Sequence, residues 1–149
     1  MKNGKEGTVR EIMIASPVTL KPDDSLKLAS DLISLGRIRH IPVVENGKLL
    51  GIISQRDLLG RAADRILNLK ENRKSALLKT VMIKEIMQRR VITVELETSI
   101  QEAAHLMAEG KIGCLPVLND GNLVGLVTTT DMLRYIERLG MNSVNGVET

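Results

Sequence analysis

A stretch of this chain occurs twice. Val9-Arg10-Glu11-Ile12-Met13 returns as Ile83-Lys84-Glu85-Ile86-Met87, and the run from Gly51 to Asp57 returns from Gly125 to Asp131, at an offset of 74 residues in both cases. Between these ends Thr19 and Thr93, Ser25 and Ser99, Ala29 and Ala103, Gly36 and Gly110, Pro42 and Pro116, and Gly47 and Gly121 keep the same spacing. The copies therefore align without a gap. A repeat of this period means one supersecondary unit used twice, and it restricts the fold more than any composition can.

The unit can be read from its periodicity. Val9–Met13 predicts a short helical turn, and Val18-Thr19-Leu20 a brief extended piece. Leu26, Ala29, Leu32 and Ile33 then share one helical face behind a capping residue, Asp24 or Ser25. Gly36 suits the helix end. His40–Glu45 and Lys48–Ile53 are aliphatic, β-rich runs joined by Asn46-Gly47, a strong signal for a two-residue hairpin. A second helix follows from Ser54. The other copy repeats this order, with Ser99 and Glu102 spaced as a capping box and Asp120-Gly121 at the turn. The expected fold class is α+β (α/β): two β-α-β-β-α repeats packed as a pseudo-two-fold pair. Each half is near the lower size limit for independent stability, so the two should share burial.

The expected organisation is repeat 1 over residues 8–59, a basic and largely helical linker over 60–81, repeat 2 over 82–139, and flexible tails at 1–7 and 140–149. The core must be aliphatic, since the 149 residues include no Phe or Trp and only Tyr135 as an aromatic. That also removes the ring platforms on which single-stranded nucleic acid stacks. From Arg61 to Arg90 lie nine basic residues (Arg61, Arg65, Lys70, Arg73, Lys74, Lys79, Lys84, Arg89 and Arg90) against Asp64, Glu71 and Glu85. A solvated face accounts for them better than a nucleic-acid surface does. The N-terminus lacks an apolar leader, and no run has the roughly 18 apolar residues of a membrane span. With Cys114 the only cysteine, the expectation is a cytoplasmic protein without an intrachain disulfide.

For chemistry, the spacing Ser54…Asp57 and Thr128…Asp131 at the start of a helix has two readings. A hydroxyl followed three residues later by an acid caps a helix. The same pair at a strand-to-helix turn can meet a phosphate with the hydroxyl and free amides, and the two hydroxyls of a ribose with the carboxylate. Cys114 reads as a packed thiol and His105 as a surface residue. Neither a Cys/His metal set, nor a phosphate loop, nor a nucleophile with its base is apparent, so the expectation is no metal site and no enzyme.

The runs Gly51-Ile52-Ile53-Ser54-Gln55-Arg56-Asp57 and Gly125-Leu126-Val127-Thr128-Thr129-Thr130-Asp131 resemble the CBS domain family. So do Gly36-Arg37-Ile38-Arg39-His40-Ile41-Pro42-Val43 and Gly110-Lys111-Ile112-Gly113-Cys114-Leu115-Pro116-Val117. The resemblance covers about Thr8 to Leu139 and is similar to stand-alone CBS pairs (Bateman modules), including the acetoin-utilisation type. It implies a regulatory module binding AMP, ADP, ATP or S-adenosylmethionine in clefts between the repeats, with no obligatory cofactor. It also implies a homodimer that signals to a protein partner; neither membrane nor nucleic acid is expected. The implied nucleotide-binding residues are Asp57 and Asp131 at the ribose, Ser54 and Thr128 at phosphate, and the backbone at Thr19 and Thr93 against adenine. Arg39, His40 and Arg56 imply phosphate contacts in one copy, where the other has Gly113, Cys114 and Thr130. One cleft is thus expected to prefer a charged polyphosphate. The alternative is a constitutive dimerisation or interaction module that binds no nucleotide.

Overall fold

The computed structural model describes the backbone of residues 7–60 and 70–147, with side chains described except at Glu71 and 141–147. In chain order the elements are β1 (Ile14–Ala15), α1 (Leu26–Gly36), β2 (His40–Glu45), β3 (Lys48–Ser54), α2 (Gln55–Gly60) and α3 (Glu71–Thr80). They continue with β4 (Val94–Glu95), α4 (Ile100–Gly110), β5 (Cys114–Asn119), β6 (Asn122–Thr128) and α5 (Thr129–Val147). Short 3₁₀ turns at Val9–Glu11 and Ile83–Glu85 open the two copies.

The chain divides into two compact units, and their boundaries are not those of the repeats. One unit is residues 17–91; the other combines residues up to Ser16 with those from Ile92 onward. The opening of each copy thus belongs to the other copy's body. In the 17–91 unit, β2 and β3 form an antiparallel hairpin, Leu20 bridges Val43 in parallel, and Gln88 bridges Ile52 on the far side of β3. In the second unit β4 pairs in parallel with β5, β5 with β6, and β1 with β6 through Ile14 and Leu126. The match is residue for residue, since Gln88 is the repeat mate of Ile14.

The 3₁₀ turns follow the same exchange. Val9 N–H donates to the Thr98 carbonyl at 2.9 Å and Ile100 N–H to Gly7 at 2.9 Å. Ile83 N–H donates to Asp24 and Leu26 N–H to Val81, both at 2.8 Å. Exposed ion pairs flank both junctions, Arg10 with Glu97 and Lys84 with Asp23.

The glycines that open the repeated motif are explained by this crossing. A Cβ on Gly51 would lie 2.7 Å from the Gln88 carbonyl oxygen and 2.8 Å from Met87 Sδ. On Gly125 it would lie 2.5 Å from Met13 Sδ and 3.0 Å from the Ile14 carbonyl oxygen. Only a residue without a side chain lets the incoming segment lie this close to the strand.

Each unit has its own aliphatic core. Leu20, Leu26, Ala29, Ile33, Ile41, Val43, Ile53, Ile83 and Met87 fill one, with Leu77 and Leu78 of α3 packed against it. Val9, Val94, Ile100, Ala103, Met107, Leu115, Val117, Val127 and Met132 fill the other. Asn46-Gly47 and Asp120-Gly121 all have positive φ, between 51° and 82°, as a two-residue hairpin turn of this kind demands. Ser25 and Ser99 cap α1 and α4 by accepting from Leu28 and Glu102 N–H.

Local details depart from the sequence pattern. The left-handed residue after α1 is Arg37 (φ 52°), and after α4 it is Lys111 (φ 51°); Gly36 and Gly110 remain the last helical residues. The glycines serve close packing, for a Cβ on Gly36 would lie 3.3 Å from Ile38 Cγ1 as that side chain folds back. The bond from Ile112 N–H to the Met107 carbonyl closes α4 in the manner of a Schellman motif. Helix α5 runs on to Val147, through residues 140–147 where the sequence pattern places a tail. In the sequence, Ile136, Leu139, Val144 and Val147 are spaced three to five apart, a period compatible with helix that carries across Gly140 and Gly146. Of the expected basic linker, 71–80 is helical, while Arg61, Arg65 and Asp64 lie outside the described residues, as do residues 1–6 of the expected 1–7 tail.

Candidate functional site

Each hairpin delivers the chain into a helix through the same four-residue turn. At the end of β3, Ser54 N–H and the Ser54 hydroxyl both donate to Asp57 Oδ2 at 2.9 Å, and Asp57 N–H donates back to Ser54 Oγ at 3.1 Å. At the end of β6, Thr128 N–H and its hydroxyl donate to Asp131 Oδ2 at 2.8 and 2.9 Å, and Asp131 N–H returns a bond to Thr128 Oγ1 at 3.4 Å. The capping reading is thus realised in both copies. Its consequence for ligand chemistry is specific: the hydroxyl proton is already committed to the carboxylate, while the second carboxylate oxygen, Oδ1, has no donor among the described residues. All four side chains are half-buried, and the cap fixes each carboxylate through its other oxygen.

The loop before each inner strand is tied to the same helix start. Gln55 N–H donates to the Arg39 carbonyl at 2.9 Å, and Thr129 N–H to the Gly113 carbonyl at 3.1 Å. Sequence patterning gives no sign of this link, because its partners are separated by about one hairpin and share no motif. It brings the first residue of β2 to the motif: His40 is the cross-strand partner of Ser54, and Cys114 of Thr128. On the neighbouring strand Leu20 pairs with Val43 and Val94 with Val117, which sets Thr19 and Thr93 one step back toward His40 and Cys114. Val18 and Ile92 beside them, which the family resemblance implies lie against adenine together with Thr19 and Thr93, are 50% and 45% exposed.

The structure therefore gathers Thr19, Arg39, His40, Ser54, Arg56 and Asp57 in one unit, and Thr93, Cys114, Thr128, Thr130 and Asp131 in the other. Their electrostatics differ. Burial pulls the His40 imidazole below its ordinary pKa; the Asp57 carboxylate opposes this, and the Arg39 and Arg56 guanidiniums add to it. Both arginines are exposed, and neither has a carboxylate partner within ion-pairing distance among the described residues. In the second unit burial, with a smaller push from Asp131, raises the Cys114 thiol to about 12. It is a neutral packed thiol at physiological pH, not a nucleophile. His105 is exposed on α4. Among the described residues no three His, Cys, Asp or Glu side chains are grouped to hold a metal ion, and no helix is long and apolar enough to cross a membrane.

The family model for the CBS domain matches residues 9–64 and 83–138, the two copies of the repeat. The chain belongs to the CBS domain family. A CBS domain-containing protein of Dictyostelium discoideum is 37% identical over 129 residues, which are 84% of this chain and 88% of that one. Other relatives are longer: the chain spans 45% of a Thermofilum pendens protein, and 22% of the inosine-5′-monophosphate dehydrogenase of Methanocaldococcus jannaschii. Among solved structures, a Vibrio cholerae protein named for acetoin utilization superposes with a TM-score of 0.79 at 34% identity, covering 95% of this chain and 98% of that one. A CBS domain pair in complex with 5′-methylthioadenosine and S-adenosyl-L-methionine gives 0.73 at 30% identity, and a CBSX-type protein in complex with AMP gives 0.74 at 27%. Each covers 89% of this chain and 98% of the other. The present chain is thus a pair of CBS domains with the mixed α and β fold of its neighbours.

Proposed function

We propose that this CBS pair is a regulatory, non-catalytic module that binds adenosine-containing nucleotides at its two strand-turn-helix motifs. The observation that carries the reading is the duplicated carboxylate, fixed by its own cap yet left with one oxygen unused. Asp57 and Asp131 would accept from the ribose hydroxyls through Oδ1. Val18-Thr19 and Ile92-Thr93 would meet the adenine with exposed apolar surface and backbone. Solved CBS pairs that hold AMP, or 5′-methylthioadenosine with S-adenosylmethionine, support the ligand class. Ser54 and Thr128 are better suited to hold the aspartates than to reach a phosphate themselves.

A ligand with unequal affinity for two states of the module shifts their populations, and a partner protein in the cytoplasm would read the change. Helix α5 exposes Leu133, Ile136 and Leu139, at 61%, 62% and 49%, and a second copy of the chain is the occupant we propose for that face. Light scattering should then report a dimer in the absence of ligand. Isothermal titration with AMP, ADP, ATP and S-adenosylmethionine tests the sensing role. Saturable binding of at least one of them is expected. Heat-silent mixing with all four at millimolar concentration, and no thermal shift, would favour a constitutive interaction module.

A further inference from the structure

Two chemically different side chains occupy one structural position in the two copies. His40 stands opposite Ser54, and Cys114 opposite Thr128, each as the first residue of its strand. Two cations act on His40: Arg39 precedes it on the loop, and Arg56 lies in α2, two residues after its cross-strand partner Ser54. Asp57, also on α2, is the one acidic group acting on it among the described residues. The matching residues around Cys114 are Gly113 and Thr130, which carry no charge. On the reading of nucleotide binding proposed above, a ligand phosphate that reaches this position meets two arginines in one copy and no arginine at the matching positions in the other.

We propose that the 17–91 unit binds a phosphate-bearing nucleotide together with one proton, taken up by His40, and that the matching place beside Cys114 binds its ligand without proton exchange. Without ligand, His40 is half-buried, next to Arg39 in the chain and cross-strand from Ser54, and burial with the charges of Arg39 and Arg56 favours its neutral form. A phosphate placed against Arg39 and Arg56 offsets their charge and adds negative charge of its own. The imidazolium then becomes the favoured form, donating where the neutral ring could only share. Because the bound state holds more protons than the free one, affinity must rise as pH falls toward 6.5. The Cys114 thiol has no such response, for an added anion would only raise its already high pKa further.

The chain is suited to a direct test. It has two histidines, one tyrosine and no phenylalanine or tryptophan, so the aromatic proton spectrum holds three side chains. His40→Gln assigns the His40 signal, and His105 on the exposed face of α4 is the internal reference. The probes are AMP and the uncharged 5′-methylthioadenosine. AMP at saturation should raise the midpoint of the His40 titration and leave the His105 curve in place. Its affinity should increase by up to about tenfold from pH 7.5 to 6.5, the ceiling for one proton taken up. That dependence should vanish in His40→Gln, and 5′-methylthioadenosine should show none. The proposal is overturned if AMP binds while the His40 midpoint stays or falls, or if the variant keeps the same pH dependence. A failure of AMP to bind at any pH overturns this inference for a monophosphate, whereas silence of AMP, ADP, ATP and S-adenosylmethionine together is a different result that removes the nucleotide reading itself.

Discussion

The two compact units are built on one plan and finished differently. Backbone devices are duplicated almost without change: the positive-φ hairpin turns, the left-handed residues after α1 and α4, the hydroxyl–carboxylate caps, and the strand that each unit receives from the other copy. Side chains diverge where the turn faces outward, with Arg39, His40 and Arg56 in one unit and Gly113, Cys114 and Thr130 in the other. The comparison separates what the fold needs from what a ligand would feel. A feature kept in both units has a structural account whatever else it does, whereas a feature present in one has none from the fold.

The strongest way to probe the shared plan is at the crossing glycines. Gly51→Ala should cost about 3 kcal/mol and Gly125→Ala about 2, measured as urea midpoints, within the range for overpacking a filled site. The order follows from what the new methyl meets. At Gly51 it meets a backbone oxygen at 2.7 Å, which cannot turn away, whereas at Gly125 the nearest atom is a methionine sulfur that can. Equal or reversed losses would mean that the exchanged segments are not held as closely as their geometry shows.

The caps come next, because they serve both structure and ligand. Asp57→Asn keeps an acceptor for Ser54 and should hold stability within a few tenths of a kcal/mol, while Asp57→Ala should lose about 1 kcal/mol. Nucleotide affinity should fall by about tenfold in the alanine variant, and Asp131→Ala should behave alike in its own unit. If both alanine variants lose stability and keep full affinity for every adenosine ligand, the carboxylates are caps alone.

Much of this was legible in the sequence, and the reason is local chemistry. Asn46-Gly47 and Asp120-Gly121 announce their turns because few other pairs accept positive φ at both positions. Ser25 and Ser99 announce helix starts through their hydroxyls, and the repeat aligns the rest. The divided units were not legible. Nothing in Val9–Met13 states that it packs with residues 94–132, since its repeat mate would pack equally well by pattern. The use of Gly51 was hidden for the same reason: a glycine before a strand end is uninformative until the atom above it is known. Likewise the candidate residues could be named one by one, but the bond from Gln55 to Arg39, which seats His40 beside Ser54, joins segments that share no motif.

Alkaline pH should expose the difference at the first strand position. The Cys114 thiol has a folded pKa of about 12 against an ordinary 9.0. Its neutral form is therefore favoured by folding, and its contribution is fully present below pH 9 and lost as pH rises from there toward 12. The slope cannot exceed about 1.4 kcal/mol per pH unit. Cys114→Ser has no such titration, so the gap in urea midpoint between wild type and variant should narrow between pH 9 and 11. A gap that stays constant would show that the thiol titrates alike folded and unfolded.

The opposite behaviour is expected in the other unit at acid pH, and it is the smallest of these effects because a half-buried ring with Asp57 beside it is only partly disfavoured as a cation. Folding lowers the His40 pKa, so the unfolded chain binds the proton more readily. Stability tied to His40 is then whole above the ordinary value of 6.5 and lost as pH falls below it. Wild type should weaken more than His40→Gln on going from pH 7 to pH 5.5. Saturating AMP should reverse the sign for wild type, because the ligand turns the proton from a burden on the fold into part of the complex. If acid weakens wild type and His40→Gln equally, the imidazole is too open to solvent for the arginines to matter, and the two units differ in sequence without differing in charge response.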